Sequence, residues 1–173
     1  MNVLEKFKTI KTLVFDVDGV LTDGSLLILD DGKWARTMNI KDGYALQLAV
    51  KKGYRIVVIS GAASDAVKER LNKLGVKDSF FGIQNKKEKL SEYVVQQGLN
   101  WEEILFMGDD IPDHSVMQLT GLPCCPADAA TEIKQISHYI SPIAGGKGCV
   151  RDVIEKILKL NDHWDLDTNV PSR

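Results

Sequence analysis

Short apolar runs that stop at Gly, Ser or Asp alternate with longer segments of helical period along most of this chain. The runs are Thr12-Leu-Val-Phe15, Arg55-Ile-Val-Val-Ile59 and Ile104-Leu-Phe-Met107, with Gly121 to Cys125 and Tyr139 to Ser141 as a fourth and fifth. Their hydrophobicity is continuous rather than alternating, which suits strands of a parallel sheet covered on both faces. Asp42 to Lys52, Ser64 to Leu74, Lys86 to Gln97, Pro112 to Leu119 and Gly148 to Leu160 read as helices. Strand and helix in alternation predict an α/β fold, a Rossmann-like parallel sheet with right-handed crossovers and flanking helices. With 173 residues, 44% of them hydrophobic, the chain can fill one core, and residues 1–160 are expected to form one domain.

One stretch breaks the alternation. Ser25-Leu-Leu-Ile-Leu29 and Trp34-Ala-Arg-Thr-Met38 flank Asp30-Asp31-Gly32-Lys33, and an Asp-Gly pair between apolar runs signals a β-hairpin. The last stretch, 161–173, is polar and is expected to be a flexible tail. A net charge of −2 without a basic block gives no sign of a nucleic-acid partner. Charges at Glu5, Lys6, Lys8 and Lys11 argue against a signal peptide, and no window approaches the ~20 apolar residues of a membrane span. A cytoplasmic protein is the expectation. Cys124, Cys125 and Cys149 have no CxxC spacing and suggest no zinc site, and Cys124 and Cys125, in a short apolar segment, read as buried free thiols.

Ligands of open parallel sheets bind beyond the carboxyl ends of the strands. Those ends carry Asp16-Val17-Asp18-Gly19, Ser60-Gly61 and Gly108-Asp109-Asp110 with Asp113 close behind, and Lys86-Lys87 opens a helix between them. Asp16, Asp18 and Asp109 in one crevice repel one another unless a cation is shared. Carboxylates without His or Cys suit a hard ion such as Mg²⁺, which keeps positions for water or phosphate oxygens. The Asp-x-Asp spacing puts two acids on one face of an extended segment, one able to act as nucleophile and the other to move protons. Gly19 allows a tight turn just beyond them. DxDG alone also occurs in plain turns, and the run lacks the further ligands of an EF-hand loop. The other strand ends give it chemical meaning.

With those motifs in order, the chain resembles the haloacid dehalogenase superfamily. Phe15-Asp-Val-Asp-Gly-Val-Leu-Thr-Asp-Gly24 looks like its first motif, Ser60 its second, Lys86 its third and Gly108-Asp-Asp-Ile-Pro-Asp113 its fourth. Asn39-Ile-Lys-Asp-Gly43 and Ala144-Gly-Gly-Lys-Gly-Cys-Val-Arg151 narrow the resemblance to the capless branch that includes the 3-deoxy-D-manno-octulosonate 8-phosphate phosphatases of lipopolysaccharide sugar synthesis. No stretch between Asp16 and Lys86 is long enough for a cap beyond the hairpin.

The resemblance implies a Mg²⁺-dependent phosphatase for a sugar-acid phosphate that works through an aspartyl phosphate. Asp16 would be the nucleophile and Asp18 the proton donor and acceptor. Ser60 and Lys86 would hold the phosphoryl oxygens. Metal ligands would be Asp16, the Asp18 backbone carbonyl and Asp109, with Asp113 and Asp110 in support. Asp18, Asn39, Ile40, Lys41, Asp42, Gly43, Gln47, Gly61, Arg70 and Lys86 would contact substrate. The Gly145 to Gly148 loop would come from a neighbouring subunit of a homotetramer. One departure is Ala62, where the family often has arginine, so a sugar-acid carboxylate would need Arg70 or Lys147 instead. Competing expectations are a nine-carbon, sialic-acid-like 9-phosphate as substrate, a non-catalytic oligomerisation module of the same fold, and a regulatory protein that binds metal or phosphate without turnover.

Overall fold

A computed structural model of the chain describes residues 2–171. At its centre lies a six-stranded parallel sheet in the order β5-β4-β1-β6-β7-β8. The strands are β1 (Thr12–Phe15), β4 (Arg55–Ile59), β5 (Asp78–Phe80), β6 (Ile104–Met107), β7 (Leu122–Cys125) and β8 (Tyr139–Ile140). A separate antiparallel hairpin pairs β2 (Leu27–Ile28) with β3 (Trp34–Ala35), as the Asp-Gly signal predicts. The expected α/β architecture is therefore the observed one.

Every residue of β1, β6 and β7 is buried, so the strands pack on both faces. Leu13, Phe15, Ile56, Val58, Leu105 and Met107 face one core, shared with α1 (Val3–Thr9), α2 (Ile40–Lys51), α3 (Asp65–Lys73) and α7 (Cys149–Leu160). Val14, Val57, Ile59, Ile104 and Phe106 face the other, shared with α4 (Lys86–Gln97), α5 (Ile111–Met117) and α6 (Thr131–Ile136). Burying each such Leu, Ile or Phe contributes roughly 1.5–3 kcal/mol relative to exposure. All three cysteines are buried and unpaired with one another. No helix among the described residues is long and apolar enough to cross a membrane.

Register positions the chemistry. Phe15, the last residue of β1, lies opposite Val58 on one side and Met107 on the other, so β1, β4 and β6 end within one residue of one another. The next residues, Asp16, Ser60 and Gly108-Asp109, emerge at one rim. Lys86 reaches that rim from the first turn of α4, which Asn85 caps by accepting the Glu88 N–H at 3.1 Å.

The polar stretch 161–173, expected to be a flexible tail, makes specific contacts along α2. Trp164 meets the Tyr44 ring edge-on, Lys51 pairs with Asp167, and Lys52 pairs with Asp165. Tyr44 Oη donates to the Asp167 carbonyl at 3.1 Å. Ser172 and Arg173 lie outside the described residues.

Candidate active site

After β1 the chain enters a tight turn, Val17–Leu21, in which Asp18 keeps an extended conformation and Gly19 takes φ +88°. A β-carbon on Gly19 would fall 1.9 Å from Asp109 Oδ2, so glycine is required there by both conformation and contact. The turn is braced from the far end of the sequence. Gly146 N–H donates to the Val20 carbonyl at 2.9 Å, and a β-carbon on Gly145 would lie 1.9 Å from the Gly19 carbonyl oxygen. The Gly145 to Gly148 loop, expected to serve a neighbouring subunit, is thus packed through Gly145 and Gly146 against the Val17–Leu21 turn of its own chain. Two glycines there allow backbone to lie on backbone.

Lys86 Nζ sits 2.8 Å from Asp16 Oδ1 and 2.7 Å from Asp113 Oδ1, and all three residues are buried. Asp113 Oδ2 accepts the Asp109 N–H at 3.1 Å. Carboxylate oxygens of Asp16, Asp109 and Asp113 lie within 4.8 Å of one another. Ser60 is buried, and its Oγ accepts the Ala62 N–H at 3.2 Å. A cleft of about 290 Å³ is lined by Asp16, Asp18, Ser60, Gly61, Lys86 and Asp109 among others, so the predicted catalytic set converges.

Electrostatics mark the cluster as short of positive charge. Burial, then the Asp113 charge, holds the Asp16 carboxyl above the usual carboxylate range against the pull of Lys86. Burial, then Asp16, Asp113 and Asp110, raises Asp109 as well. Burial disfavours the Lys86 ammonium, yet Asp113 and Asp16 outweigh it and its pKa is raised. Asp109 Oδ1 is buried and has no hydrogen-bond partner among the described residues. One ammonium among three carboxylates, with an unpartnered oxygen aimed inward, fits a hard divalent cation such as Mg²⁺. Asp16 and Asp109 are the predicted side-chain ligands. Asp110, expected in support, is exposed, lines the same cleft and caps α5 by accepting the Ile111 N–H at 2.8 Å.

Other expected residues lie elsewhere. Asn39 caps α2 by accepting the Lys41 N–H at 2.8 Å. Asp42 and Gly43 are buried, and Asp42 Oδ1 accepts the Arg151 N–H at 2.8 Å. Gln47 donates to the carbonyls of Gly43 (3.2 Å) and Pro171 (2.7 Å). Residues 39–43 and Gln47 do not line the cleft of their own chain. Arg70 lines a second cavity between the hairpin and α3. Arg36, which sequence reasoning left as an ordinary hairpin residue, holds Asp18 through Nε at 2.6 Å and a second guanidinium nitrogen at 3.3 Å. A basic residue two positions from both Trp34 and Met38 on an extended strand was its only trace in the sequence.

No family model matches the chain. It is 32% identical over 157 residues to the 3-deoxy-D-manno-octulosonate 8-phosphate phosphatase KdsC of Escherichia coli K12, covering 91% of this chain and 84% of that protein. The enzyme of the same name from Moraxella catarrhalis, solved with a magnesium ion, a phosphate ion and KDO, superposes with a TM-score of 0.90 at 30% identity over 93% of both chains. A HAD superfamily (subfamily III A) hydrolase from Legionella pneumophila gives 0.90 at 32% identity, over 92% of this chain and 88% of that one. Sequence, fold and the converging acids agree: the chain belongs to the KdsC-like phosphatase family of the haloacid dehalogenase superfamily and is a phosphoric monoester hydrolase.

Proposed function

We propose that this enzyme hydrolyses a sugar-acid phosphate, 3-deoxy-D-manno-octulosonate 8-phosphate, in lipopolysaccharide sugar synthesis, through an aspartyl-phosphate intermediate and with Mg²⁺ as cofactor. The observation that carries the reading is Lys86 bridging Asp16 and Asp113 beside Asp109 in a cleft shared with Ser60. The Moraxella relative, solved with magnesium, phosphate and KDO, supports the substrate and the ion.

Asp16 attacks phosphorus in line with the ester oxygen and forms the phosphoanhydride bond. Asp18 gives its proton to the departing sugar hydroxyl. In the second step Asp18 takes a proton from water as that water attacks the aspartyl phosphate, releasing phosphate and restoring Asp16. Ser60 donates its hydroxyl to a phosphoryl oxygen, and the Lys86 ammonium balances charge while fixing Asp16. Mg²⁺, held by Asp16, Asp109 and the Asp18 carbonyl, would neutralise negative charge on the phosphoryl group.

The reading treats 1–160 as one phosphatase domain of a cytoplasmic homotetramer. Leu27, Ile28 and Trp34, all more than half exposed on the hairpin, support assembly. Residues 39–43 and Gln47 would then meet substrate only across a subunit contact. The test is phosphate release from a panel of sugar-acid phosphates, including a nine-carbon 9-phosphate, with and without Mg²⁺. The eight-carbon acid should be hydrolysed best, and Asp16→Asn should lose roughly 10⁴-fold or more in kcat. Equal turnover by parent and Asp16→Asn would rule out the nucleophile. Magnesium binding without turnover would leave a non-catalytic module.

A further inference from the structure

Resting on the reading of Asp16, Asp18 and Asp109 as the holders of Mg²⁺, we propose that Asp128 is a positioning residue for that site. The short loop that carries it ties the Val17–Leu21 turn to the backbone of Asp109. β7 ends at Cys125, and residues 126–130 lead from it into α6. The contacts of this loop run in two directions. Toward β6, the Ala130 N–H donates to the Asp109 carbonyl at 2.8 Å. Toward the glycine loop, the Ala127 N–H donates to the Ile143 carbonyl at 3.1 Å, and Asp128 Oδ1 accepts the Gly145 N–H at 2.9 Å. The Ala129 N–H closes the loop on itself by donating to the Pro126 carbonyl at 3.2 Å.

From Gly145 the connection continues to the other wall of the site. The Gly146 N–H holds the Val20 carbonyl, and a β-carbon on Gly145 would lie 1.9 Å from the Gly19 carbonyl oxygen and 3.1 Å from that of Thr22. Gly19 follows Asp18, whose carbonyl is the expected backbone ligand. Gly19 also abuts Asp109, since a β-carbon there would stand 1.9 Å from Asp109 Oδ2. The two walls therefore meet at Gly19, and the 126–130 loop holds each of them from behind. Backbone packed this closely transmits a displacement of Gly145 to the turn. Magnesium demands near-ideal octahedral geometry with ligands at about 2.0–2.1 Å, so a small shift between the Asp18 carbonyl and Asp109 weakens binding.

Asp128 is suited to this role by where it stands. Gly145 is buried, whereas Asp128 is exposed. A buried N–H needs an acceptor, and the Asp128 carboxylate supplies one from outside the core. Removing that carboxylate leaves the core packing in place and takes away the bond that seats Gly145. Asparagine keeps an acceptor oxygen at the same position and drops the charge. The two substitutions thus separate positioning from a long-range effect of charge.

The test uses the full chain in parent, Asp128→Ala and Asp128→Asn forms, each first shown to be folded by circular dichroism and thermal melting. Magnesium binding is measured by calorimetry without substrate. The magnesium concentration that half-activates phosphate release from 3-deoxy-D-manno-octulosonate 8-phosphate is measured beside it. Asp128→Ala should bind magnesium about 10-fold more weakly and need correspondingly more for half-activation, with a smaller loss in kcat at saturating magnesium. Asp128→Asn should recover to within about threefold of the parent. Parent-like affinity in Asp128→Ala overturns the proposal, even where that variant melts lower. An equal loss in Asp128→Asn overturns it too, because charge and not the hydrogen bond would then be the cause. The expected pattern of magnesium affinities, in a parent that releases no phosphate from any ester, would leave the tie standing and defeat the phosphatase reading alone. A parent that binds no magnesium would defeat the metal reading and this inference with it.

Discussion

Asp16, Ser60, Lys86 and Asp113 are each less than a tenth exposed and stand on or beside the ends of fully buried strands. Across the cleft, the hairpin rests on two paired residues a side, and Leu27, Ile28 and Trp34 are 63%, 69% and 60% exposed. These buried groups are thus fixed by the same packing that holds the sheet, while the exposed residues of the hairpin share little of it. Ion pairs follow the division. Lys86 holds two carboxylates that are 10% and 1% exposed, whereas Arg36 holds a third that is 34% exposed. Rigid placement of this kind serves bond making.

That contrast can be broken most directly at Lys86. Lys86→Met leaves Asp16 and Asp113 buried without their counterion, and should cost about 3–5 kcal/mol in denaturant unfolding besides abolishing turnover. A loss no larger than that of a surface variant would mean the floor is not rigidly paired. Next in size is Gly145→Ala. Its β-carbon would meet the Gly19 carbonyl, so a cost of roughly 3 kcal/mol and a fall in kcat larger than any rise in KM are expected. Wild-type kinetics in that variant would show the brace to be dispensable.

Asp42 extends the contrast to a buried acid outside the cleft. Burial raises its pKa to about 6, against the hydrogen bond from Arg151 and the charges of Arg151 and Arg70. The folded chain then holds a proton that the unfolded chain releases near pH 4. Its contribution to stability is therefore fully present below about pH 4 and is lost as pH rises through about 6. Asp42→Asn should be more stable than the parent by on the order of 2 kcal/mol at pH 7.5, with the gap closing toward pH 4. A gap that widens on acidification would refute the sign. Smallest of all, Trp34→Ala on the hairpin should change monomer stability by less than about 0.5 kcal/mol. Its effect belongs in the oligomeric state seen by sedimentation.

What could be read in advance follows the same line between buried and exposed. β1, β4 and β6 are apolar runs that no other element explains, and their ends carry the acids and Ser60. β5 has only Phe80 among three half-buried residues at the sheet edge, so it gives no apolar run to detect. α6 is six residues long and lacks a side-chain cap, so its period is too short to show. α1 did carry a signal, the capping box between Asn2 and Glu5, though a seven-residue helix leaves little periodicity behind it. The Arg36–Asp18 pair depends on how the hairpin folds back, and neither residue type nor spacing announces it. The same holds for Gly145 on Gly19, whose backbones meet only after the whole sheet has formed.

That last contact sets an order of assembly. Asp16 is synthesised early, but the turn beside it is clasped by residues 145 and 146. A nascent chain that ends at residue 143 already owns Asp16, Ser60, Lys86 and Asp109, and Thr22 Oγ1 accepts the Gly19 N–H at 3.3 Å, yet the contacts from Gly145 and Gly146 are still missing. The brace on this turn is therefore completed only when β8 and the segment behind it have joined the edge of the sheet.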